Sequence, residues 1–201
     1  FHLICSTAAR KHWNVRKLDA TSAYLQGDEI DRLLVLKPSN PLPPGVVPGS
    51  VFVCHGAIYG TKDAGRKWWG KLSRTLREHG WQESRLERGL FILFSSKGDL
   101  IGLVCTYVDD LFATGDSDHP EFRATMEVLR TTLLLTEELP PFRYCGKEVV
   151  QSDDYSIKVT CEATTKKITP IRLPPGRKKQ LVMRVDDPDD GRRTLIELTE
   201  P

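Results

Sequence analysis

Apolar positions along the chain repeat with two periods. In DAGRKWWGKLSRTLREHG, Trp69, Leu72 and Leu76 recur at helical spacing, with Ala64 and Trp68 beside them. The spacing predicts a helix over 64–79, stopped by Gly80. A second helix is predicted over 118–133. Asp118 stands three residues before Glu121 with Pro120 in the first turn, and Phe122, Met126, Leu129 and Leu133 follow on one face. Leu3, Ile4 and Ala8 share a side within residues 1–12, the end of a helix. Elsewhere the apolar runs are short and strand-like: WNVRKLDA ending near Asp19, RLLVLKP, SVFVCH, LFILF, LIGLVCTYV, LFAT, FRYCGKEVV and YSIKVTC. The last alternates, with Tyr155, Ile157, Val159 and Cys161 on one face. TSAYLQGD reads as a short turn or helical piece closed by Gly27, and SKGD as a turn. PSNPLPPGVVPG is a loop, because its prolines fit neither a helix nor a central strand. Beyond residue 168 the pattern dissolves into TPIRLPPGRKKQ and DDPDDGRR. Residues 1–168 are expected to form one folded region, and 169–201 a Pro-rich, charged, loosely ordered tail of unknown role.

Without the Pro-rich insertion, the order is strand (to 19), helix (64–79), strand (100–107), strand (111–114), helix (118–133), strand (142–150). This is the β-α-β-β-α-β order of an α+β, ferredoxin-like fold. In that fold the third strand lies between the first and second and runs antiparallel to both. The end of the first strand then lies beside the turn joining the second and third. Asp19 and the pair Asp109–Asp110 are expected to meet there.

With 201 residues, 39% hydrophobic and 28% charged, the chain can bury a core as one domain, or one domain plus a tail. A net charge of +2 does not by itself imply a nucleic-acid partner. The apolar runs are too short to span a membrane. Five scattered cysteines without a C-x-x-C pair predict free thiols rather than disulfides or zinc. FHLICSTAARKHW is not patterned as a signal peptide, and the chain reads as a piece of something longer.

VCTYVDDLFATGD sets two adjacent carboxylates in an apolar run. Burying either costs several kcal/mol unless it is paired. Asp-Asp is also ordinary turn chemistry, since Asp tolerates the backbone angles. Convergence with Asp19 adds a third carboxylate, and three repel unless divalent cations neutralise them. Mg²⁺ or Mn²⁺ suit oxygen donors. Two such ions roughly 3.5–4 Å apart clamp the attacking and leaving oxygens of a phosphoryl transfer.

Three blocks carry a family resemblance. KLDATSAYLQGD is similar to x-x-D-V-x-x-A-F-L-x-G, GAIYGTKDAGRKWW to x-L-Y-G-L-K-Q-A-P-R-x-W, and TYVDDLFATGD to a Y-V-D-D box with its following strand. In this order and spacing the chain resembles the reverse transcriptase domain of Ty1/copia-type LTR retrotransposons over about residues 1–168. The resemblance implies a polymerase palm with partial fingers and an incomplete thumb, acting as an RNA-directed DNA polymerase. Asp19, Asp109 and Asp110 correspond to the catalytic triad holding two Mg²⁺ ions. Ala20 lies beside the triphosphate, and Tyr24 falls at the aromatic steric gate against a ribose 2′-hydroxyl. Tyr107 and Val108 face the primer end. Arg66 and Trp69 fit the fingers-to-palm helix, with Lys67, Lys71, Arg74 and Arg77 as candidates for the nucleic-acid surface. Phe142, Tyr144 and Gly146 approximate the segment gripping the primer. Expected partners are an RNA or DNA template with its primer, deoxynucleoside triphosphates, and the integrase and RNase H of a Gag-Pol polyprotein. No membrane partner is expected, and the implied setting is intracellular, a cytoplasmic virus-like particle with the nucleus as the alternative.

The chain departs from the family pattern at Asp63, where a Gln near the incoming nucleotide is usual, at Gly65 for Pro and at Glu87 for Asp. A carboxylate at 63 would repel a triphosphate. Two rivals follow: a decayed element copy that folds without polymerising, and another two-metal palm enzyme such as a nucleotide cyclase. The second lacks the IYGTKDAGRKWW helix block.

Overall fold

The computed structural model describes residues 1–168 and the two strands Val182–Asp186 and Arg193–Glu197. The chain divides into two compact units, Phe1–Thr164 and Thr165–Pro201. In the first, helix α1 (His2–Lys11) buries Ile4, Cys5 and Ala8, leaves Leu3 exposed, and ends at His12 in the left-handed region. Strand β1 (Val15–Ala20) runs into a 3₁₀ turn, Ala23–Gln26. Strands β2 (Glu29–Leu36) and β3 (Phe52–Gly56) pair as a separate hairpin around the Pro/Gly loop. Helix α2 (Ala64–Glu78) turns at Gly80 (φ 84°) into β4 (Trp81–Glu83), followed by β5 (Leu90–Phe94), β6 (Leu100–Tyr107) and β7 (Asp110–Gly115). Helix α3 (Pro120–Thr132) leads to β8 (Leu135–Glu138). Strands β9 (Phe142–Tyr144), β10 (Lys147–Gln151) and β11 (Ile157–Thr160) form a three-stranded sheet, followed by the short α4 (Glu162–Thr165). In the second unit, β12 (Val182–Asp186) and β13 (Arg193–Glu197) pair antiparallel. The rest of the expected loose tail lies outside the described residues.

The central sheet has the order β4-β5-β6-β7-β1-β8, every neighbour antiparallel. Alternation along β1 divides its side chains between two cores. Leu18 and Ala20 pack with Leu111, Val104, Trp68, Leu72 and Leu76 of α2, and Phe122, Met126 and Leu129 of α3. Val15 joins Leu103, Phe112, Ile4 and Ala8 of α1, and Phe142, Tyr144 and Val149 beyond β8. Both helices after β1 therefore cover one face, and α1 with the three-stranded sheet covers the other.

Several predicted elements change. The strand after the second helix is β8, whose LTEE carries a single buried residue and no readable period. The expected strand 142–150 is instead a hairpin in another sheet, turning at Cys145 (φ 46°) and Gly146 (φ 77°), the pair of left-handed residues of a type I′ hairpin. Strand β4 has three residues, too few to show alternation. At α3 the cap is His119 rather than Asp118. Asp116 Oδ1 accepts from the Asp118 and His119 N–H groups at 3.0 and 3.2 Å. Glu121 turns away to accept from the Ser96 N–H (2.9 Å) and hydroxyl (2.7 Å), and these bonds hold its carboxyl below the usual range. All five cysteines are free, as their spacing predicts. No helix among the described residues is long and apolar enough to cross a membrane.

Phe122 sits directly on the backbone of β7. A Cβ on Gly115 would lie 2.2 Å from its ring and 2.6 Å from the Ile101 carbonyl oxygen. Gly65, on α2, has nothing within 4 Å. Gly115→Ala is therefore expected to cost about 1–3 kcal/mol or more by overpacking, while Gly65→Ala gains up to about 0.5–1 kcal/mol from helix propensity. Urea unfolding of the two variants measures both.

Candidate active site

Antiparallel pairing of β1 with β7 sets Asp19 directly opposite Asp110. The Ala20 N–H donates to the Asp109 carbonyl at 3.2 Å, which makes 19–110 a non-hydrogen-bonded pair, the kind with the closer side chains. Like charges so placed repel. Burial first, then Asp110 and then Asp109, push the Asp19 carboxyl above its ordinary range, and Lys17 opposes them. Lys17 lies two residues before Asp19, on the same face. Its Nζ is 3.5 Å from Asp110 Oδ1 and 3.8 Å from Glu138 Oε2. One cation thus faces three carboxylates of the site.

Asp110 also pairs across the hairpin with Tyr107, so Val108 and Asp109 form a two-residue turn. Val108 has φ 58° while Asp109 stays negative, the arrangement in which glycine normally takes the first position. A β-branched residue there stores about 1–3 kcal/mol of strain. The turn is held from two sides. The Ala20 N–H bonds Asp109, and the indole N–H of the buried Trp68 donates to the Val108 carbonyl at 2.7 Å. Tyr107 and Val108 remain exposed at the tip.

The donors available are carboxylate oxygens in excess of local positive charge. That set suits a hard cation such as Mg²⁺ or Mn²⁺. No group of three His, Cys, Asp or Glu side chains among the described residues forms a ready ligand cage. The fit is therefore one of charge and donor chemistry, with Lys17 beside Asp110. A family model described as reverse transcriptase (RNA-dependent DNA polymerase) matches residues 1–169. The chain belongs to the reverse transcriptase family. The retrovirus-related Pol polyprotein from transposon RE2 of Arabidopsis thaliana is 30% identical over 150 residues, 73% of this chain and 10% of its own length. That from transposon RE1 of the same plant is 31% identical over 118 residues, 57% of this chain and 8% of its own length. The putative transposon Ty5-1 protein of Saccharomyces cerevisiae is 26% identical over 150 residues, 72% of this chain and 46% of its own length. These relatives are Ty1/copia-type, and the chain spans about a tenth or less of the two plant polyproteins.

The other candidate residues lie on the neighbouring elements. Ala20 is buried beside Asp19, and Tyr24, in the 3₁₀ turn, meets Tyr59 with ring centroids 4.9 Å apart. Gly27 lets that turn touch α2: a Cβ would lie 3.0 Å from the Trp68 backbone nitrogen. Asp63 is neutralised by Arg32 of β2, whose Nε and Nη2 donate to its two carboxylate oxygens at 3.2 and 3.0 Å. The guanidinium holds the Asp63 carboxyl below the usual range. Of the basic residues along α2, Lys67 pairs with Asp31 at 2.9 Å, Arg74 with Asp28 at 2.6 Å, and Arg77 with Glu83. Arg66 is exposed and Lys71 half-buried. Gly146 stands at the tip of the β9–β10 hairpin, where the neighbouring Cys145 thiol is raised by burial and then by the charge of Asp110. Sequence reasoning missed Lys17, which the two-residue period puts on the Asp19 face, and Arg32, which no local signal ties to Asp63.

Without divalent metal, Asp19→Asn is expected to raise the melting temperature at neutral pH by about 1–3 °C, the scale of roughly 0.2–1 kcal/mol of cross-strand repulsion. The folded carboxyl is raised, so its ionised form costs stability at neutral pH and that cost fades as pH falls through its folded pKa. The difference between variant and wild type should therefore shrink on acidification. Calorimetry in EDTA at pH 7 and at a pH close to the ordinary carboxylate range checks this.

Proposed function

We propose that this domain adds a deoxynucleotide to a primer 3′-hydroxyl against an RNA or DNA template and releases pyrophosphate. The observation that carries the reading is the register setting Asp19 opposite Asp110 beside a strained, clamped turn. The order β6-β7-β1-β8, with both helices on one face, supports a ferredoxin-like palm, and the β2–β3 hairpin supports part of a fingers region.

Asp19, Asp109 and Asp110 would hold two Mg²⁺ ions, with Mn²⁺ as a substitute. When bound, such ions favour the deprotonated primer hydroxyl and offset the charge of the triphosphate. The protein's own part is positioning. Ala20 would lie next to the triphosphate at the end of β1, and the Tyr24 ring, supported by Tyr59, would exclude a ribose 2′-hydroxyl. Tyr107 and Val108 offer an exposed apolar tip to the primer end. Arg32 removes the objection that Asp63 repels a triphosphate, since the carboxylate is already paired. Phosphate contacts from Arg66, Lys67 and Lys71 and the backbone at Gly146 would position the duplex, with salt-sensitive affinity. The domain would work inside a Pol polyprotein with integrase and RNase H, in a cytoplasmic particle.

Primer extension with Mg²⁺, on this domain joined to a complete fingers segment and thumb, tests the reading. Asp19→Asn, Asp109→Asn and Asp110→Asn are each expected to lower the rate at least about a hundredfold. Asp63→Gln should change it less than about threefold, because its pair with Arg32 is at the surface and screened by solvent. An inactive parent revived by Asp63→Gln would mean a decayed copy instead.

Millimolar Mg²⁺ should also raise the melting temperature of the wild-type chain and leave that of Asp19→Asn unchanged. A thermal shift titration reads this directly.

A further inference from the structure

The loop SRLERG, residues 84–89, joins β4 to β5 at the end of the sheet where β6 runs into the Val108–Asp109 turn. Gly89 fixes it there. Its carbonyl accepts from the Thr106 N–H at 2.7 Å and hydroxyl at 3.3 Å, and a Cβ at 89 would lie 3.1 Å from the Thr106 oxygen. The Ser84 N–H donates to the Leu90 carbonyl at 2.8 Å, and the Leu86 N–H to the Ser84 hydroxyl at 3.2 Å. Two strand spacings, roughly 10 Å, separate this loop from the acidic turn.

Nearby acids are engaged elsewhere. Glu83 pairs with Arg77, and Glu87 accepts from the Gly89 N–H at 3.3 Å. Arg85 and Arg88 are exposed and pair with no acid among the described residues. Leu86 between them is 98% exposed. A protein partner gripping a lone leucine would want an apolar patch around it. Here the flanking residues are cations, and the exposed Tyr107 and Val108 lie towards the acidic turn.

We propose that this loop is a backbone contact for the primer–template duplex, with Arg85 and Arg88 on phosphates and Leu86 against the sugar edges. The proposal rests on the polymerase reading and adds a surface to it. Phosphate contacts carry affinity and its salt dependence, while an apolar side chain in a groove adds contact that salt does not weaken.

Fluorescence anisotropy of the 201-residue chain with a labelled primer–template duplex, titrated over KCl, tests it. Arg85→Ala/Arg88→Ala should weaken binding about tenfold at 0.1 M KCl and reduce the slope of log K against log salt by about 2. Leu86→Ser should weaken binding a few-fold with the slope unchanged. Lys11→Ala/Lys97→Ala removes the same charge at the other end of the sheet and should leave the slope near wild type. Equal losses in the two double variants, or loop variants that bind like wild type, overturn the loop contact and leave the polymerase reading standing. Absence of duplex binding by the wild-type chain overturns the loop contact as well, while primer extension by the completed domain decides the polymerase reading. A wild-type dimer lost in Leu86→Ser, with duplex binding unchanged, overturns the proposal in favour of a protein partner.

Discussion

Two carboxylates held face to face across a strand pair are the constraint around which this domain is built. Asp19 and Asp110 repel, and nothing in their own strands relieves them beyond Lys17. The surrounding fold must therefore supply the stability that keeps them together. It does so with a six-stranded antiparallel sheet and a core on each face of β1 and β7. The hairpin that presents Asp109 and Asp110 carries its own strain at Val108. Repulsion and strain are thus concentrated at one sheet end, on a well-packed scaffold.

Helix α2 is the element that makes the arrangement work. Trp68 fills the core with its ring and spends its one polar atom on the Val108 carbonyl. One turn earlier the helix pairs Asp63 with Arg32, and Gly27 allows the turn bearing Tyr24 to touch its backbone. The same fifteen residues thus connect the acidic turn, the tyrosine pair and the β2–β3 hairpin. Membership of the reverse transcriptase family, matched over residues 1–169, agrees with the region in which these contacts lie.

Much of this was legible in the sequence, for physical reasons that differ between elements. Helices α2 and α3 were readable because Leu72, Leu76, Phe122, Met126 and Leu129 repeat with the helical period and are all buried. The meeting of Asp19 with Asp110 followed from element order alone, since antiparallel neighbours in such a sheet must bring those strand ends together. Short strands were not legible: WQE and LTEE carry too few residues for a period and are held by pairing with β5 and β1. The cap of α3 was misread because Glu121 prefers Ser96, a partner distant in sequence. Trp68 falls beside the apolar stripe of α2 and is buried, but its hydrogen bond depends on where the later hairpin lies. Long-range pairing of this kind leaves no local trace.

Three ion pairs, Asp28–Arg74, Asp31–Lys67 and Arg32–Asp63, fasten the start of β2 to α2. None is deeply enclosed, so solvent and salt screen all three. Meanwhile Leu33, Val35, Val47, Phe52 and Val53 of the hairpin and its loop stay exposed rather than joining either core. The hairpin is thus moored by charge instead of by grease. Raising the ionic strength therefore loosens the tie between this hairpin and α2 while leaving both cores covered.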